Sequence, residues 1–335
     1  MKKIINSSVD FVDEMLDGLC SAHPEYYAQP ERRVLVRSVP ARDGKVGIVT
    51  GGGSGHLPIF AGYVGPGLLD GAAIGDVFAS PSSDQIRKAI KHAERGAGVL
   101  CLYGNYGGDV MNFDMACEML ELEGLRTETV LVADDVASAP LAEAAKRRGV
   151  AGMVYAFKIA GAAADAGGDL TAVTAAARKA AESCRSIGVA LSPCIVPQAG
   201  KPSFTLGEDE IEMGMGIHGE RGIWRNRLRS ADEIVDEMVA RLREDMPLAS
   251  GQRVSVLVNS LGATPPEELY VAFRRVRQIL EADGIRIVMP LVGRYATSME
   301  MAGMSLTVMA LDDELETWLK APAACAFWQV AGDRA

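Results

Sequence analysis

Three glycine-rich segments of the sequence each carry a side chain that could transfer a proton or form a covalent bond. GGGSGH ends in His56, GNYGGD ends in Asp109, and GMGIHGERG contains His218. An aspartate can accept the proton of a hydroxyl group as a general base. The nitrogen of a neutral imidazole can attack a carbonyl carbon. The three residues are therefore candidates for acid–base and nucleophilic chemistry.

Each of these segments also has an ordinary structural interpretation. The glycines of GGGSGH free the backbone to approach an anion closely, but a flexible tight turn uses the same residue. Asp109 precedes the helical pattern MNFDMACEMLELEG, where an aspartate usually serves as the N-cap. His218 by itself is compatible with a surface histidine in a turn. What favours function for His56 and Asp109 is that both close a glycine-rich loop after a predicted strand.

Several familiar sites are excluded by context. Gly214, Gly216 and Gly219 have dinucleotide-binding spacing, but they follow the polar stretch GEDEIEMG instead of opening a βαβ unit. No glycine loop continues into the Lys-Ser/Thr of a Walker A motif. Four histidines without an HExxH motif or a Cys/His cluster argue against zinc. Acidic pairs at 134–135 and 312–313 could bind a metal, but such pairs are more often solvated or cap helices, so we predict no metal site.

Composition narrows the class of protein. The chain has 335 residues, is 48% hydrophobic and carries a net charge of −10, which argues against binding to nucleic acid or to an anionic membrane. Its six cysteines show no CxxC spacing and suggest free thiols in a reducing compartment.

The N-terminus lacks the apolar core of a signal peptide. The longest apolar run, around Val150 to Ala164, is interrupted by Lys158 and falls short of the ~18 residues of a membrane span. We expect a cytoplasmic protein without a membrane segment.

Strand-like and helix-like patterns alternate along most of the chain, which predicts an α/β fold. Capping boxes at Ser230–Glu233 and Thr264–Glu267 predict two helix starts. Two buried helix faces are predicted from Val9, Val12, Leu16 and Leu19, and from Leu269, Phe273, Val276 and Leu280. The predicted strands are 45–50, 98–103, 128–134, 253–259, 285–292 and 305–311.

We predict two α/β domains, each with a largely parallel or mixed sheet flanked by helices. A stretch rich in Pro, Gly and Ser at 188–203 marks the seam between them. The first domain, 1–190, carries the loops that end in His56 and Asp109, and the second, 191–335, carries His218. Because ligands bind at the carboxyl ends of strands in open α/β sheets, these loops are where we expect the site.

At these motifs the chain resembles the substrate-binding K subunit of the dihydroxyacetone kinases. The resemblance extends from Asn6 to about Asp313, nearly the whole chain. It implies two α/β domains, a homodimer and a small ketose as substrate. The matching segments are GGGSGH, GYVGPGLLDGAAIGDVFASPSSDQI, the NYxGDVMNF pattern, RRGVAG, VPQAGKPSFTL, GMGIHGE, NSLGATPPEELY and YATSMEMAG.

The resemblance also implies a role for individual residues. His218 would form a covalent hemiaminal with the ketone carbonyl of the substrate. His56 would hydrogen-bond the substrate and assist catalysis, and Asp109 would be the base for the hydroxyl that becomes phosphorylated. Gly53 and Ser80 would line the site, and Gly104, at a position where the family has a substrate-contacting lysine, is the third candidate for contact with the substrate.

The same resemblance assigns the phosphate donor to another protein. This chain would bind no cofactor itself, and an L-type nucleotide-binding subunit would hold ADP, or ATP with magnesium. The function implied is that of the ketose-binding subunit of a kinase. Some relatives of this subunit act with transcription factors, so a non-catalytic ketose sensor or coregulator is the alternative. Retention of both His56 and Asp109 favours the enzyme.

Three positions depart from the family pattern near the expected site. Leu57 replaces a glutamate, Gly104 replaces a lysine that contacts substrate in the family, and Gly107 replaces a threonine. The exchanges at 104 and 107 remove a charge, a hydroxyl and volume beside Asp109. They predict an enlarged pocket, in which erythrulose or apulose becomes a candidate substrate beside dihydroxyacetone.

Overall fold

The computed structural model describes residues 2–332, which form two mixed β-sheets with helices packed on their faces. The strands of the first sheet are β1 (Tyr27–Glu31), β2 (Val34–Arg37), β3 (Gly47–Ser54), β4 (Gly71–Val77), β5 (Val99–Gly104) and β6 (Thr127–Val132). Those of the second are β7 (Cys184–Ser192), β8 (Glu210–Met213), β9 (Trp224–Arg227), β10 (Arg253–Ser260), β11 (Arg286–Ile287), β12 (Leu291–Gly293) and β13 (Ala302–Leu311). A small hairpin follows, with β14 (Ala323–Ala324) and β15 (Gln329–Val330). The helices are α1 (Phe11–Ala22), α2 (Ser83–Ala93), α3 (Gly107–Leu122), α4 (Gly152–Asp165), α5 (Leu170–Glu182), α6 (Ala231–Asp245), α7 (Pro266–Ala282) and α8 (Asp313–Lys320).

The first sheet has the strand order β1-β2-β4-β3-β5-β6. Strands β4, β3, β5 and β6 are parallel to one another, and the antiparallel pair β1–β2 extends the sheet beyond β4. All eight residues of β3 are buried, as expected for a strand with parallel neighbours on both sides and covered faces. The carboxyl ends of four parallel strands therefore lie along one edge.

The second sheet has the order β11-β10-β13-β7-β8-β9, and β12 continues the pairing of β11 along β10. Strand β13 lies at its centre and is antiparallel to both β10 and β7. At one edge, β8 and β9 form an antiparallel hairpin. The turn of this hairpin, residues 214–223, contains the third glycine-rich motif.

Helix α4 lies between the two sheets and is buried along nearly its whole length. It contacts β3, β5 and β6 of the first sheet and β7 and β13 of the second. The ammonium group of buried Lys158 donates to the backbone oxygen of Trp318, 2.6 Å away. The longest apolar run of the sequence is thus the central helix of the fold. Within residues 2–332, no helix combines the length and the apolar character needed to cross a membrane.

The α/β class and the mixed sheets confirm the predicted fold, with local corrections. The capping box at Ser230 is present, with both reciprocal hydrogen bonds. The one predicted at Thr264 is wrong, because its hydroxyl instead bonds to the backbone of Gly303. Val9 precedes α1 and is exposed, so it does not belong to the buried face of that helix. The strand predicted over 285–292 is divided into β11 and β12, with residues 288–290 between them.

The predicted domain boundary after residue 190 falls inside a strand. Strand β7 runs across that position and pairs with β13 and β8 of the second sheet. In the other direction, α8 returns from the end of the chain to pack against α4. The division into 1–190 and 191–335 stays a prediction.

Candidate active site

Chain turns at the carboxyl edge of the first sheet bring the candidate residues together. His56 follows β3, Phe78 and Ser80 follow β4, and Asp109 follows β5. This edge is where ligands bind in open α/β sheets. His218 arrives from the second sheet, in the turn between β8 and β9, and the centroid of its ring lies 4.7 Å from that of His56.

The glycine run before His56 is mostly strand, not loop. Residues 51–54 belong to β3, and only Gly55 has a positive φ, +99°. A Cβ atom on Gly52 would lie 2.2 Å from the ring of Phe60, and one on Gly53 would lie 2.7 Å from the amide nitrogen of Ala79. The loop predicted for residues 51–54 is therefore wrong. These glycines let other parts of the chain pack directly on the strand backbone.

His56 has a defined tautomer and an unpaired acceptor. Its Nδ1 lies 2.7 Å from the backbone oxygen of Thr297, which can only accept, so Nδ1 carries the hydrogen. The other nitrogen, Nε2, is buried and has no hydrogen-bond partner among residues 2–332. Burial and the neighbouring His218 lower the pKa of His56 to about 3, so the ring is neutral at physiological pH. In that state Nε2 accepts hydrogen bonds and cannot donate them.

His218 is held by the carboxylate of Glu220. Its Nδ1 lies 3.0 Å from Glu220 Oε1, and its backbone N–H donates to Glu220 Oε2 at 2.9 Å. Burial acts to raise the pKa of Glu220, but the hydrogen bond from His218 and the charges of His218 and Arg148 lower it to about 2. Because the ionised carboxylate only accepts, Nδ1 of His218 carries the hydrogen. When the imidazole is neutral, the lone pair on Nε2 is available to attack a carbonyl carbon.

Three aromatic rings fix the orientation of the His218 imidazole. His56 and Tyr106 meet it edge-to-face at centroid distances of 4.7 and 4.8 Å, and Phe78 does so at 5.4 Å. Phe78 also stacks on His56 at 4.8 Å. The hydroxyl of Tyr106 donates to the backbone oxygen of Gly149 at 3.0 Å, which anchors that ring. The imidazole of His218 is therefore packed in place while a quarter of its side chain remains exposed.

Asp109 lies in the first turn of α3, two residues inside the helix. The N-cap is Tyr106, so the alternative of Asp109 as the N-cap is wrong. Its Oδ1 is buried and has no hydrogen-bond partner among residues 2–332. Burial raises the pKa of Asp109 to about 6, against the opposing influence of Ser80 and His218. The carboxyl group is thus a stronger base than an ordinary aspartate and is ionised at neutral pH.

The two departures at positions 104 and 107 differ in the space around them. A Cβ atom on Gly104 would lie 3.2 Å from the sulfur of Met153 and 3.2 Å from the ring of Tyr106. Those side chains occupy the room that a longer residue would need. A Cβ atom on Gly107 meets nothing within 4 Å. Of these two positions, Gly104 is closed by its neighbours, whereas Gly107 is exposed and has open space around it.

The acidic pairs considered as metal ligands serve the fold. Asp134 accepts from the backbone N–H groups of Val150 and Gly152, both at 2.7 Å, at the start of α4. Asp135 forms an ion pair with Arg148 at 2.7 Å. Asp312 is the N-cap of α8. No cluster of potential metal ligands occurs in the part of the chain that the structure describes.

Several residues of the site were not identified from the sequence. Phe78 and Tyr106 follow strands, as His56 and Asp109 do, and that position was an available signal. Arg148 lies far along the chain and approaches Glu220 at 3.8 Å only through folding. No sequence pattern points to Thr297, because the group that holds His56 is the backbone oxygen of Thr297, which any residue type would supply. The arrangement as a whole offers one partly exposed imidazole nitrogen and two buried acceptors without partners among residues 2–332, which suits a carbonyl compound with hydroxyl groups.

Comparison with known families gives one family for most of the chain. A family model described as the Dak1 domain matches residues 17–327. The dihydroxyacetone-binding subunit DhaK of PTS-dependent dihydroxyacetone kinase 2 from Listeria innocua is 46% identical, over 98% of this chain and 100% of that protein. An L-erythrulose kinase from Pectobacterium atrosepticum is 47% identical, over 96% of this chain and 55% of that protein.

Two solved structures share the fold closely. The dihydroxyacetone kinase operon co-activator DhaQ superposes with a TM-score of 0.89 at 32% identity, covering 95% of this chain and 98% of the co-activator. The dihydroxyacetone kinase of C. freundii in complex with AMP-PNP and Mg²⁺ superposes with a TM-score of 0.89 at 31% identity. That match covers 100% of this chain and 62% of the kinase.

Proposed function

This chain belongs to the Dak1 domain family, which includes the dihydroxyacetone-binding DhaK subunits, and from that membership we propose that it holds a small ketose covalently on His218 for phosphorylation. Relatives named as dihydroxyacetone and erythrulose kinases support a role as a kinase subunit. The phosphoryl donor would come from a partner, an L-type nucleotide-binding subunit. We also expect the chain to form a homodimer, which light scattering on the purified protein would test.

The observation that carries the proposal is the pair of buried acceptors beside His218. His56 Nε2 and Asp109 Oδ1 are both shielded from solvent and unpaired within residues 2–332. A buried acceptor without a donor costs on the order of 1–3 kcal/mol. A ketose with a hydroxyl group on each side of its carbonyl carries two donors, one for each acceptor. Its carbonyl carbon would then lie near the nucleophilic nitrogen of His218.

The covalent step follows from the two tautomers. Nε2 of His218 donates its lone pair to the ketone carbon, a C–N bond forms, and the C=O π electrons move to oxygen. The ring becomes cationic while Nδ1 keeps its hydrogen, and the Glu220 carboxylate lies opposite that charge. A proton from solvent then neutralises the alkoxide oxygen, and the hemiaminal keeps its cationic ring paired with the Glu220 carboxylate. No group leaves, so the protein gains the full mass of the ketose.

Phosphoryl transfer requires a base and a fixed hydroxyl group. Burial raises the pKa of Asp109 to about 6. Its carboxylate would accept the proton of the terminal hydroxyl while the oxygen of that hydroxyl attacks the phosphorus atom. The adduct on His218 would restrict the motion of that hydroxyl, which converts an encounter in solution into an intramolecular alignment. A nucleotide with magnesium on the partner would supply the phosphoryl group.

Intact-mass measurement on the purified chain tests the covalent step. Incubation with dihydroxyacetone or erythrulose should add the mass of one ketose per chain, without the loss of water that marks a lysine Schiff base. The adduct should be absent from His218→Ala and retained in His92→Ala, whose exposed histidine lies on α2. Adduct persistence in His218→Ala would refute the proposal. Turnover should appear only when an L-type subunit and nucleotide are added.

We propose further that the substrate is a ketose larger than dihydroxyacetone. The open space beside Gly107 supports this, and so does the similarity to the erythrulose kinase. Because Gly104 is packed against Met153 and Tyr106, the added carbon would lie toward Gly107. Comparison of kcat/KM for erythrulose, apulose and dihydroxyacetone in the reconstituted enzyme tests this. A clear preference for dihydroxyacetone would exclude a larger substrate.

A ketose sensor is the second candidate function. The close structural match to the DhaQ co-activator favours it, because a protein named as a co-activator shares this fold over nearly all of both chains. A sensor needs the covalent site at His218 but has no use for the base Asp109. Adduct formation without turnover, in the presence of nucleotide and every L-type subunit of the organism, would favour the sensor over the kinase.

A further inference from the structure

Two of the six cysteines lie close together beneath the turn that leads to Asp109. Cys101 lies near the middle of β5, and Cys117 lies in the second half of α3, which packs on that strand. Their sulfur atoms are 3.7 Å apart, so that one thiol can donate a hydrogen bond to the other. The proposed chemistry at His218 and Asp109 uses neither of these thiols.

The two thiols differ in exposure and in acidity. Cys101 is fully buried, whereas Cys117 is half-buried and remains open to solvent. A hydrogen bond from the Cys101 thiol lowers the pKa of Cys117 from 9.0 to about 7, and the hydroxyl groups of Thr127 and Thr129 on β6 add to this effect. Burial and the charge of Asp114 oppose it. Cys117 is therefore present largely as the reactive thiolate at or slightly above neutral pH.

A thiolate that solvent can reach, next to a second thiol, can be oxidised by a peroxide to a disulfide. The Cys117 thiolate attacks one oxygen of hydrogen peroxide, the O–O bond breaks, and a sulfenic acid and hydroxide form. The Cys101 sulfur then attacks the sulfenic sulfur, an S–S bond forms, and the hydroxyl group leaves as water with the Cys101 proton. The hydroxide from the first step takes a proton from solvent. The two sulfur atoms thus lose two electrons, and peroxide is reduced to two molecules of water.

The disulfide would link the two elements that hold the catalytic base in place. Sulfur atoms in a disulfide are about 2.0 Å apart, so these two must approach each other by about 1.7 Å. Strand β5 ends at Gly104, and α3 begins at Gly107 with Asp109 in its first turn. Eight residues of helix separate Cys117 from Asp109, about 12 Å along the axis. A shift of α3 at Cys117 is therefore passed along the helix to the base.

We propose that Cys117 and Cys101 form a modification site, at which peroxide produces a disulfide that displaces Asp109 and slows phosphoryl transfer. The effect on transfer rests on the proposed function, whereas the disulfide itself does not. A misplacement of about 1 Å can cost about 100-fold in rate, so kcat should fall about 10- to 100-fold in the oxidised chain. The ketose adduct should still form, because His218 is carried by the second sheet.

Peroxide treatment of the purified chain tests this site. After catalase has removed the peroxide, intact mass should show the loss of two hydrogen atoms, and peptide mapping should find the peptides of Cys101 and Cys117 linked. Reconstitution with an L-type subunit and its nucleotide should then show the lower kcat, which dithiothreitol should restore. Oxidation of exposed methionines adds oxygen and is not reversed by dithiothreitol, so both readouts distinguish it.

Three variants assign the response to this pair of thiols. Cys117→Ser should keep the kcat of the reduced wild-type chain and lose the response to peroxide. Cys101→Ala should stop at a sulfenic acid on Cys117, which dimedone captures. The matched control Cys20→Ser removes another partly exposed cysteine, on α1, whose pKa is raised by burial. This control should respond to peroxide as the wild-type chain does.

Two results would overturn the proposal. One is the absence of a link between Cys101 and Cys117 in the oxidised wild-type chain, and the other is a link that leaves kcat unchanged. A reduced wild-type chain without turnover would instead end the proposed kinase function. In that case the peptide map, which needs no partner subunit, still decides whether this pair of thiols is the site of oxidation.

Discussion

Replacing Glu220 with glutamine would remove the negative charge opposite Nδ1 of His218 and nearly preserve the size of the side chain. In the wild-type chain the carboxylate lies 3.0 Å from that nitrogen. When Nε2 attacks a ketone, the imidazole ring becomes cationic, and the carboxylate stabilises this charge. The substitution should therefore weaken the covalent adduct with the ketose more than it weakens the fold.

The pKa of Glu220 gives the size of the expected effect. It lies at about 2, against 4.5 for an ordinary glutamate. This difference corresponds to roughly 3 kcal/mol in favour of the ionised form. Because 33% of the side chain is exposed and Arg148 shares the interaction, we assign about half of it, about 1.5 kcal/mol, to His218. Glu220→Gln should then weaken ketose binding about tenfold.

Titration with ketose, read by intact mass, measures this effect directly. The matched control is Glu208→Gln, which neutralises an exposed carboxylate shortly before β8. Thermal unfolding of both variants reports whether the turn is disturbed, since Glu220 also accepts the backbone N–H of His218. The expected result is weaker adduct formation in Glu220→Gln alone, with a melting temperature close to that of the control.

Unchanged ketose affinity in a folded Glu220→Gln variant would refute the reasoning. It would mean that the carboxylate neither selects the tautomer of His218 nor stabilises the cationic ring. A loss of affinity in the Glu208→Gln control would point to the overall charge of the chain instead of a local contact.

Three further predictions concern Asp109 and Gly107. Asp109→Asn should lower kcat by about 10²- to 10⁴-fold and leave the ketose adduct intact, as seen by steady-state kinetics beside intact mass. Burial raises the pKa of Asp109 from 3.8 to about 6, so the base is protonated as pH falls through that value. The kcat of the wild-type enzyme should therefore decline below about pH 6, and a flat profile down to pH 5 would contradict this role. Gly107→Thr fills open space and should shift the ratio of kcat/KM values toward dihydroxyacetone by about tenfold relative to erythrulose; an unchanged ratio would mean that the larger ketose does not use this space.

Much of the fold could be predicted from local patterns. The parallel strands β3, β5 and β6 and the helix α7 follow from runs of apolar residues and from their spacing, because these patterns act within a few residues. The motifs around His56, Asp109 and His218 predict where chemistry could occur, and the rings of His56 and His218 lie 4.7 Å apart in the fold. The glycines before His56 were recognised but misread, since a strand against which other chain segments pack closely needs the same residue as a flexible loop.

The sequence by itself determined which chemical groups are available, namely two imidazoles and one carboxylate. Its motifs also indicated the family of ketose-binding subunits. Only the tertiary structure decided what each group can do. The backbone oxygen that sets the tautomer of His56 belongs to Thr297, 241 positions away, and no local pattern records such a contact. Desolvation likewise depends on everything packed around a residue, and it raises the pKa of Asp109 and lowers that of His56. The space lost at Gly104 and kept at Gly107 is decided in the same way, by the neighbours that folding brings to each position.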